Sequence, residues 1–224
     1  MIPTSRPWMM MELSRRVLLF LTFTLSLVCG FQNDGPGSHG FQTSENEVLE
    51  NVKSFLWDPR GRQFTIRWYY TVGEDVWKGD GMLQILGRDY LRFTLPEQEI
   101  LIKGSVVMSW FRETDQVIID DFDRRDPGNV FSVLLGELNE FSVLESRSDS
   151  DSTLLLKLRN ETLIGFEELD ISVDKREWTP VLIRAKAGED MSVVIEIVDS
   201  ETLPRPDDLI NASLNGSEMI DLRE

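Results

Sequence analysis

The sequence predicts an α+β protein that is mostly β. The expected form is an incomplete antiparallel β-barrel, a curled sheet of about nine to eleven strands, with helices covering its mouth as a lid. Three observations lead there. From Phe64 onward apolar residues fall at every second position in run after run, most clearly within Trp77–Phe93 and Ile100–Phe111. Clusters of Gly, Asp and Asn punctuate those runs at hairpin spacing. Only two segments carry helical periodicity, and the second interrupts the strand series.

The chain begins with a segment unlike the rest. Arg15 and Arg16 precede Val17–Val28, a 12-residue run without charge. A finished membrane helix needs about 20 apolar residues. A basic flank and a short apolar core therefore read as a secretory signal peptide over residues 1–30, the other reading being an anchor that is never cut. Cleavage before Phe31 would follow Val28-Cys29-Gly30. Cys29, the only cysteine, is alternatively a lipidation site, although bulky Val28 precedes it. No disulfide can form within the remainder. Residues 31–44 are Gly- and Ser-rich and read as a flexible linker; they hold the only histidine, His39.

Ser44 with Glu47 three residues on is a helix start, and Val48, Leu49, Val52, Phe55 and Leu56 follow at helical spacing until Pro59-Arg60-Gly61. The pattern then switches to period two. Phe64, Ile66, Trp68 and Tyr70 alternate with polar or mixed neighbours, as do Leu83 and Ile85, Leu91, Phe93 and Leu95, and Val106, Met108 and Trp110; Val117–Ile119 is a short apolar run. Gly73-Glu74-Asp75, Gly87-Arg88-Asp89 and Lys103-Gly104 supply turns, so the order is a meander rather than a βαβ array. Asp121–Gly128 breaks the sheet. Asn129 then caps a helix over Val130–Asn139, with Val130, Phe131, Leu134, Leu135 and Leu138 on one stripe. Strands resume at Phe141–Glu145, Leu154–Arg159, Leu169–Val173, Val181–Ala185 and Met191–Val198. Residues 203–224, acidic and containing Pro204 and Pro206, read as an extended or disordered tail.

Charge and chemistry narrow the function. The formal net charge is −16; residues 1–30 carry three arginines and one glutamate, so the remainder stands near −18. That opposes nucleic-acid binding, which displaces counterions with basic patches. It also opposes docking on anionic lipid, and it suits a soluble monomer. His39 alone cannot build a Ser/His/Asp set, and no His/Cys cluster has metal-ligand spacing. Asp120, Asp121, Asp123 and Asp126 lack the central Gly and terminal Glu of a calcium loop. Asn160, Asn211 and Asn215 begin glycosylation triplets, a pattern that chance also produces. No catalytic residue, metal or cofactor is expected.

One resemblance orders these pieces. A helix ending near Phe55 is followed by the aromatic strand Phe64–Tyr70 and by Gly79-Asp80-Gly81-Met82-Leu83. Leu91-Arg92-Phe93, Lys103-Gly104-Ser105, Met108–Phe111 and Asn129–Gly136 come next. In order and spacing this resembles the bacterial outer-membrane lipoprotein carrier family (LolA-like), over roughly residues 45–200. The resemblance implies an unclosed barrel whose helices cover an apolar cavity. It implies a periplasmic carrier of acylated lipoproteins or lipids, loaded by an inner-membrane lipoprotein-releasing transporter and emptied by an outer-membrane acceptor. Cavity candidates are Phe64, Ile66, Trp68, Leu83, Ile85, Leu91, Phe93, Val106, Met108, Trp110, Phe131, Leu134 and Leu135, although inward aromatics are equally the content of a solid core. The family's lid-holding arginine aligns with Gly87, which leaves Arg88 as the candidate latch. The family's aromatic-rich C-terminal ending is missing. A regulatory or binding module, and a membrane-anchored acceptor acylated at Cys29, are the alternatives on the same fold.

Overall fold

Alternation of apolar and polar residues commits this chain to one sheet with two different faces. The computed structural model describes residues 45–124, 129–136, 138, 141–160 and 166–223. All of them lie in one unit, Phe41–Glu224. The signal segment, Cys29, the linker with His39 and Asp126 lie outside the described residues.

The described elements run α1 (Glu45–Leu56), β1 (Arg62–Val72), β2 (Asp75–Leu86), β3 (Tyr90–Thr94), β4 (Gln98–Lys103), β5 (Val106–Phe111), β6 (Gln116–Asp121) and α2 (Val130–Leu135). There follow β7 (Phe141–Ser148), β8 (Thr153–Asn160), β9 (Glu168–Asp174), β10 (Pro180–Ala187), β11 (Met191–Thr202), α3 (Pro206–Ile210) and β12 (Glu218–Asp221). The twelve strands form a single sheet in the order β12-β6-β5-β4-β3-β2-β1-β11-β10-β9-β8-β7. It does not close: β12 and β7 are its edges. Every pairing is antiparallel except β12 with β6. The central seam joins the long strands β1 and β11, with a bulge between Thr65 and Ile66. Such bulges sharpen the local twist that lets a wide sheet curl.

Pairing fixes which side chains share a face. Phe64, Ile66, Leu83, Ile85, Leu91 and Ile102 from β1–β4 stand with Leu156, Leu158, Leu169, Ile171, Ile183 and Ile195 from β8–β11 in one core, each at most 3% exposed. Val48, Leu49, Val52 and Leu56 of α1 and Val133, Leu134 and Leu135 of α2 complete that core. Strands from both halves of the sheet thus meet the same helices, so this face is concave. The helix stripes supply the apolar surface that an open sheet needs to cover it.

The convex face has a second, smaller core. Leu86, Leu101 and Val117 pack there with Leu203, Leu209 and Leu214. The last three belong to the segment expected to be an extended or disordered tail. Instead it crosses the convex face through α3 and adds β12 to the β6 edge. Asp115 pins the start of β12: its carboxylate accepts from the Ser217 N–H at 3.0 Å and from the Trp110 indole N–H at 3.1 Å. Those bonds, Trp110 first, hold the Asp115 carboxyl below its ordinary value. The second helix also differs from expectation. It is described only as Val130–Leu135, with Gly136 as its cap residue. Gly136 caps it, its N–H donating to the Ser132 carbonyl at 3.0 Å, and Leu138 of the expected stripe lies beyond that cap, buried in the same core.

Candidate functional site

The concave face and its two helices form the candidate site. α1 enters it because four of its apolar side chains recur at i, i+1, i+4 and i+8, one face of a helix. Its end is fixed by Asp58, which accepts from the Arg60 backbone and guanidinium and pairs with Arg62 at 3.1 Å. The Arg60 guanidinium, ahead of the opposing effect of burial, keeps the Asp58 carboxyl below its usual range. Arg62 in turn lies 4.2 Å over the Phe55 ring, and Phe55 meets Phe64 at 6.2 Å.

α2 begins at Asn129, whose side chain accepts from the Phe131 N–H at 2.9 Å. Ser132 donates to the Asp123 carbonyl at 2.9 Å. Its other end is held from two sides. The Trp57 indole N–H donates to the Leu134 carbonyl at 2.8 Å. Arg88 donates to the Leu135 carbonyl at 3.4 Å and the Gly136 carbonyl at 3.3 Å, and its guanidinium sits 4.9 Å over the Trp57 ring. A cation over the final carbonyls of a helix also answers its partial negative charge. Gly87, at φ +57°, makes the tight β2–β3 turn that carries Arg88 to this place. Arg88, the latch candidate, thus touches the end of α2.

Aromatic side chains mark the margin of the face. Trp68 meets Phe93 edge-on at 6.2 Å, and Phe93 meets Phe131 of α2 at 5.4 Å. Tyr70 packs on Trp77 at 5.6 Å and donates to the Met191 sulfur at 3.7 Å. Burial pushes the Tyr70 phenol up. Gly79 and Gly81 lie opposite Trp68 and Ile66 on the neighbouring strand. A Cβ at Gly79 would stand 2.9 Å from the Trp68 Nε1, and one at Gly81 would stand 2.6 Å from the Thr94 carbonyl oxygen. Gly79 lets the Trp68 indole lie close on β2, and Gly81 lets the β3 end at Thr94 and Leu95 approach it.

Of the expected cavity residues, Phe64, Ile66, Leu83, Ile85, Leu91, Phe93, Leu134 and Leu135 are buried together on the concave face, with Trp68 and Phe131 packed against them. Val106, Met108 and Trp110 are not there. Leu101, on the convex face, pairs with Met108, which puts all three on that side; Met108 and Trp110 pack in the second core. On the concave side β5 presents Val107, opposite Ile102. Both faces of β5 are covered, so its alternation does not reveal which side is the hollow one. Sequence reasoning missed Trp57, whose position just past a helix carries no periodic signal. It also left out Leu156, Leu158, Ile171 and Ile183, which the same period-two pattern marks.

A cavity of about 240 Å³ lies on the convex face, between Gln63, Gln84 and Arg92 on the strands and Leu203, Arg205 and Asp208 of the C-terminal segment. Beside it Glu99, 3% exposed, accepts from Arg92 at 2.7 Å and Arg112 at 3.2 Å. Among the described residues no group of three or more His, Cys, Asp or Glu side chains is placed to hold a metal ion.

The described strands form a single unclosed sheet, with two helices packed on its concave side. Solved structures align with it over most of the chain. An uncharacterized conserved protein from Thermus thermophilus matches with a TM-score of 0.51 at 11% identity, over 80% of this chain and 98% of that one. A LolA superfamily protein from Nitrosomonas europaea matches with a TM-score of 0.44 at 13% identity, over 76% and 98%. A domain named for outer membrane lipoprotein sorting, from Vibrio parahaemolyticus, matches with a TM-score of 0.45 at 9% identity, over 74% and 97%. At such identities these likenesses concern fold alone. No protein-family model and no curated protein sequence matches the chain.

Proposed function

We propose that this chain is a periplasmic, non-enzymatic carrier. It takes the acyl chains of lipoproteins or lipids onto its concave face and moves them from the inner towards the outer membrane. Export depends on residues 1–30. An inner-membrane lipoprotein-releasing transporter loads it and an outer-membrane acceptor unloads it. The observation that carries this reading is the way α2 closes the concave face. It inserts three aliphatic side chains into the core, and among the described residues its end is fastened by three side-chain donations, from Trp57 and Arg88.

Magnitudes favour exchange. Lifting Val133, Leu134 and Leu135 out of the core forfeits about 5–9 kcal/mol at about 1.5–3 per buried aliphatic side chain. An acyl chain of about 15 methylenes gains on the order of 12 kcal/mol at about 0.8 each. The two terms are close enough that cargo displaces the lid and the lid later displaces cargo. A carrier needs that balance, since cargo bound far more tightly would not be released.

The test is displacement of a hydrophobic fluorescent probe from the mature domain by a diacylated lipopeptide. Saturable displacement supports a carrier; no probe binding and no displacement removes it. A binding or regulatory module is the second reading. Its support is the tight packing of the described concave core, where Phe64, Ile66, Ile85 and Leu91 are wholly buried. A stable protein partner together with an inert concave face would favour it. An anchored acceptor differs from both by acylation of Cys29, which the mass of the mature N-terminus decides.

A further inference from the structure

We infer that the indole N–H of Trp68 is the polar anchor of the concave site, and that it recognises the ester carbonyl of a bound acyl chain. The inference rests on the acyl-carrier reading and deepens it, since it names which part of the cargo is read.

Trp68 Nε1 is buried and has no hydrogen-bond partner. Three other side-chain atoms share that condition among the described residues: Arg62 Nε, Thr94 Oγ1 and Thr179 Oγ1. Arg62 still pairs with Asp58 through Nη2. Thr94 pairs with Glu99 in the register and so faces the convex side. Thr179 sits before β10, outside the strands. Trp68 is the orphan donor that stands on the concave side of a strand, opposite Ile195 on β11 and Gly79 on β2.

A buried donor without an acceptor is costly, and tryptophan indoles in protein interiors normally find one. Phenylalanine would fill the same place without that cost. The surroundings explain why none is found among the described residues. Phe93 packs edge-on against the indole, Phe131 lies beyond it, and Gly79 offers no side chain. Phe131 belongs to α2, so lifting α2 uncovers Phe93 and opens the way to Trp68. An entering acyl chain brings apolar surface for this environment and one good acceptor, its ester carbonyl. The same N–H rejects neither chain length nor saturation. It discriminates esters from chains that lack a carbonyl.

The diagnostic ligands are a dipalmitoyl-glyceryl lipopeptide and its dihexadecyl ether analogue, matched by a dipalmitoyl phospholipid and its own ether analogue. Affinities are measured with the mature protein and with Trp68→Phe. In the wild type the ester form is expected to bind about three- to tenfold more tightly than the ether form, the range of one net hydrogen bond. In Trp68→Phe the two forms are expected to bind equally. Ester preference within the lipopeptide pair, the phospholipid pair or both supports the inference and shows which source of acyl ester the site accepts. The infrared band of the bound ester carbonyl gives a readout independent of the variant: it is expected to move to lower frequency on binding to the wild type. Equal binding of ester and ether by the wild type, with an unmoved carbonyl band, overturns the assignment of Trp68 and leaves the carrier reading standing. Failure of the wild type to bind any of the four overturns both.

Discussion

Replacing Arg88 by Ala should loosen the C-terminal end of α2 while leaving the sheet intact. Arg88 donates to the Leu135 and Gly136 carbonyls at 3.4 and 3.3 Å, both long, and stacks 4.9 Å from the Trp57 ring. Two long bonds from a half-solvated cation contribute about 1 kcal/mol together, and the stacking adds about 0.5–1. The loss is therefore about 1.5–2 kcal/mol, a factor of about 10–30 in the open population of α2. Amide hydrogen exchange reads it. Val133–Gly136 should exchange faster by that factor, whereas the β1, β2 and β11 amides should keep their protection. Arg88→Lys keeps the charge but loses the fork, so it should fall between the two. Unchanged protection across Val133–Gly136 in Arg88→Ala would show that the Trp57 bond and core packing hold α2 unaided, and would refute the latch.

Three further outcomes follow from the packing. Gly81→Ala drives a Cβ to 2.6 Å from the Thr94 carbonyl and 2.7 Å from Leu95. It should cost about 2–3 kcal/mol in urea unfolding, whereas Gly188→Ala, in open space at φ +61°, should cost about 1–2 from backbone strain alone. Glu99→Gln removes the buried charge that Arg92 and Arg112 share, and because both arginines are partly solvated it should destabilise by only about 1–2 kcal/mol, read from the same denaturation curves. Ending the chain at Thr202 removes Leu203, Leu209 and Leu214 from the convex core. At about 1.5–3 kcal/mol for each buried leucine, that forfeits most of the stability of an ordinary domain, and the shortened chain should aggregate or unfold at 25 °C.

The strands were legible because each element of an open sheet alternates between a core and a second environment. Phe64, Ile66, Leu83, Ile85, Leu91 and Phe93 declare their face by parity alone. Parity failed at β5, where Val106, Met108 and Trp110 are as apolar as the concave side of the same strand. What makes them so is the C-terminal segment lying over them, and that segment was itself misread. Its acids and prolines mask three leucines spaced 5–6 residues apart, a spacing that fits neither helix nor strand. Arg88 came from the family resemblance and not from a local pattern, and its guanidinium meets the Leu135 and Gly136 carbonyls at the end of α2. Trp57 and the unpaired indole of Trp68 depend on contacts from distant elements, which no local pattern records.

The claim that cargo occupies the concave side of the sheet is tested most directly by a lipopeptide spin-labelled near the end of an acyl chain. Methyl resonances would be recorded with and without it. The account predicts broadening at Leu83, Ile85, Leu91 and Leu134, with Leu101, Leu209 and Leu214 unaffected. Broadening confined to Leu101, Leu209 and Leu214 would place the cargo under the C-terminal segment, and the carrier account built on α1, α2 and Arg88 would be wrong.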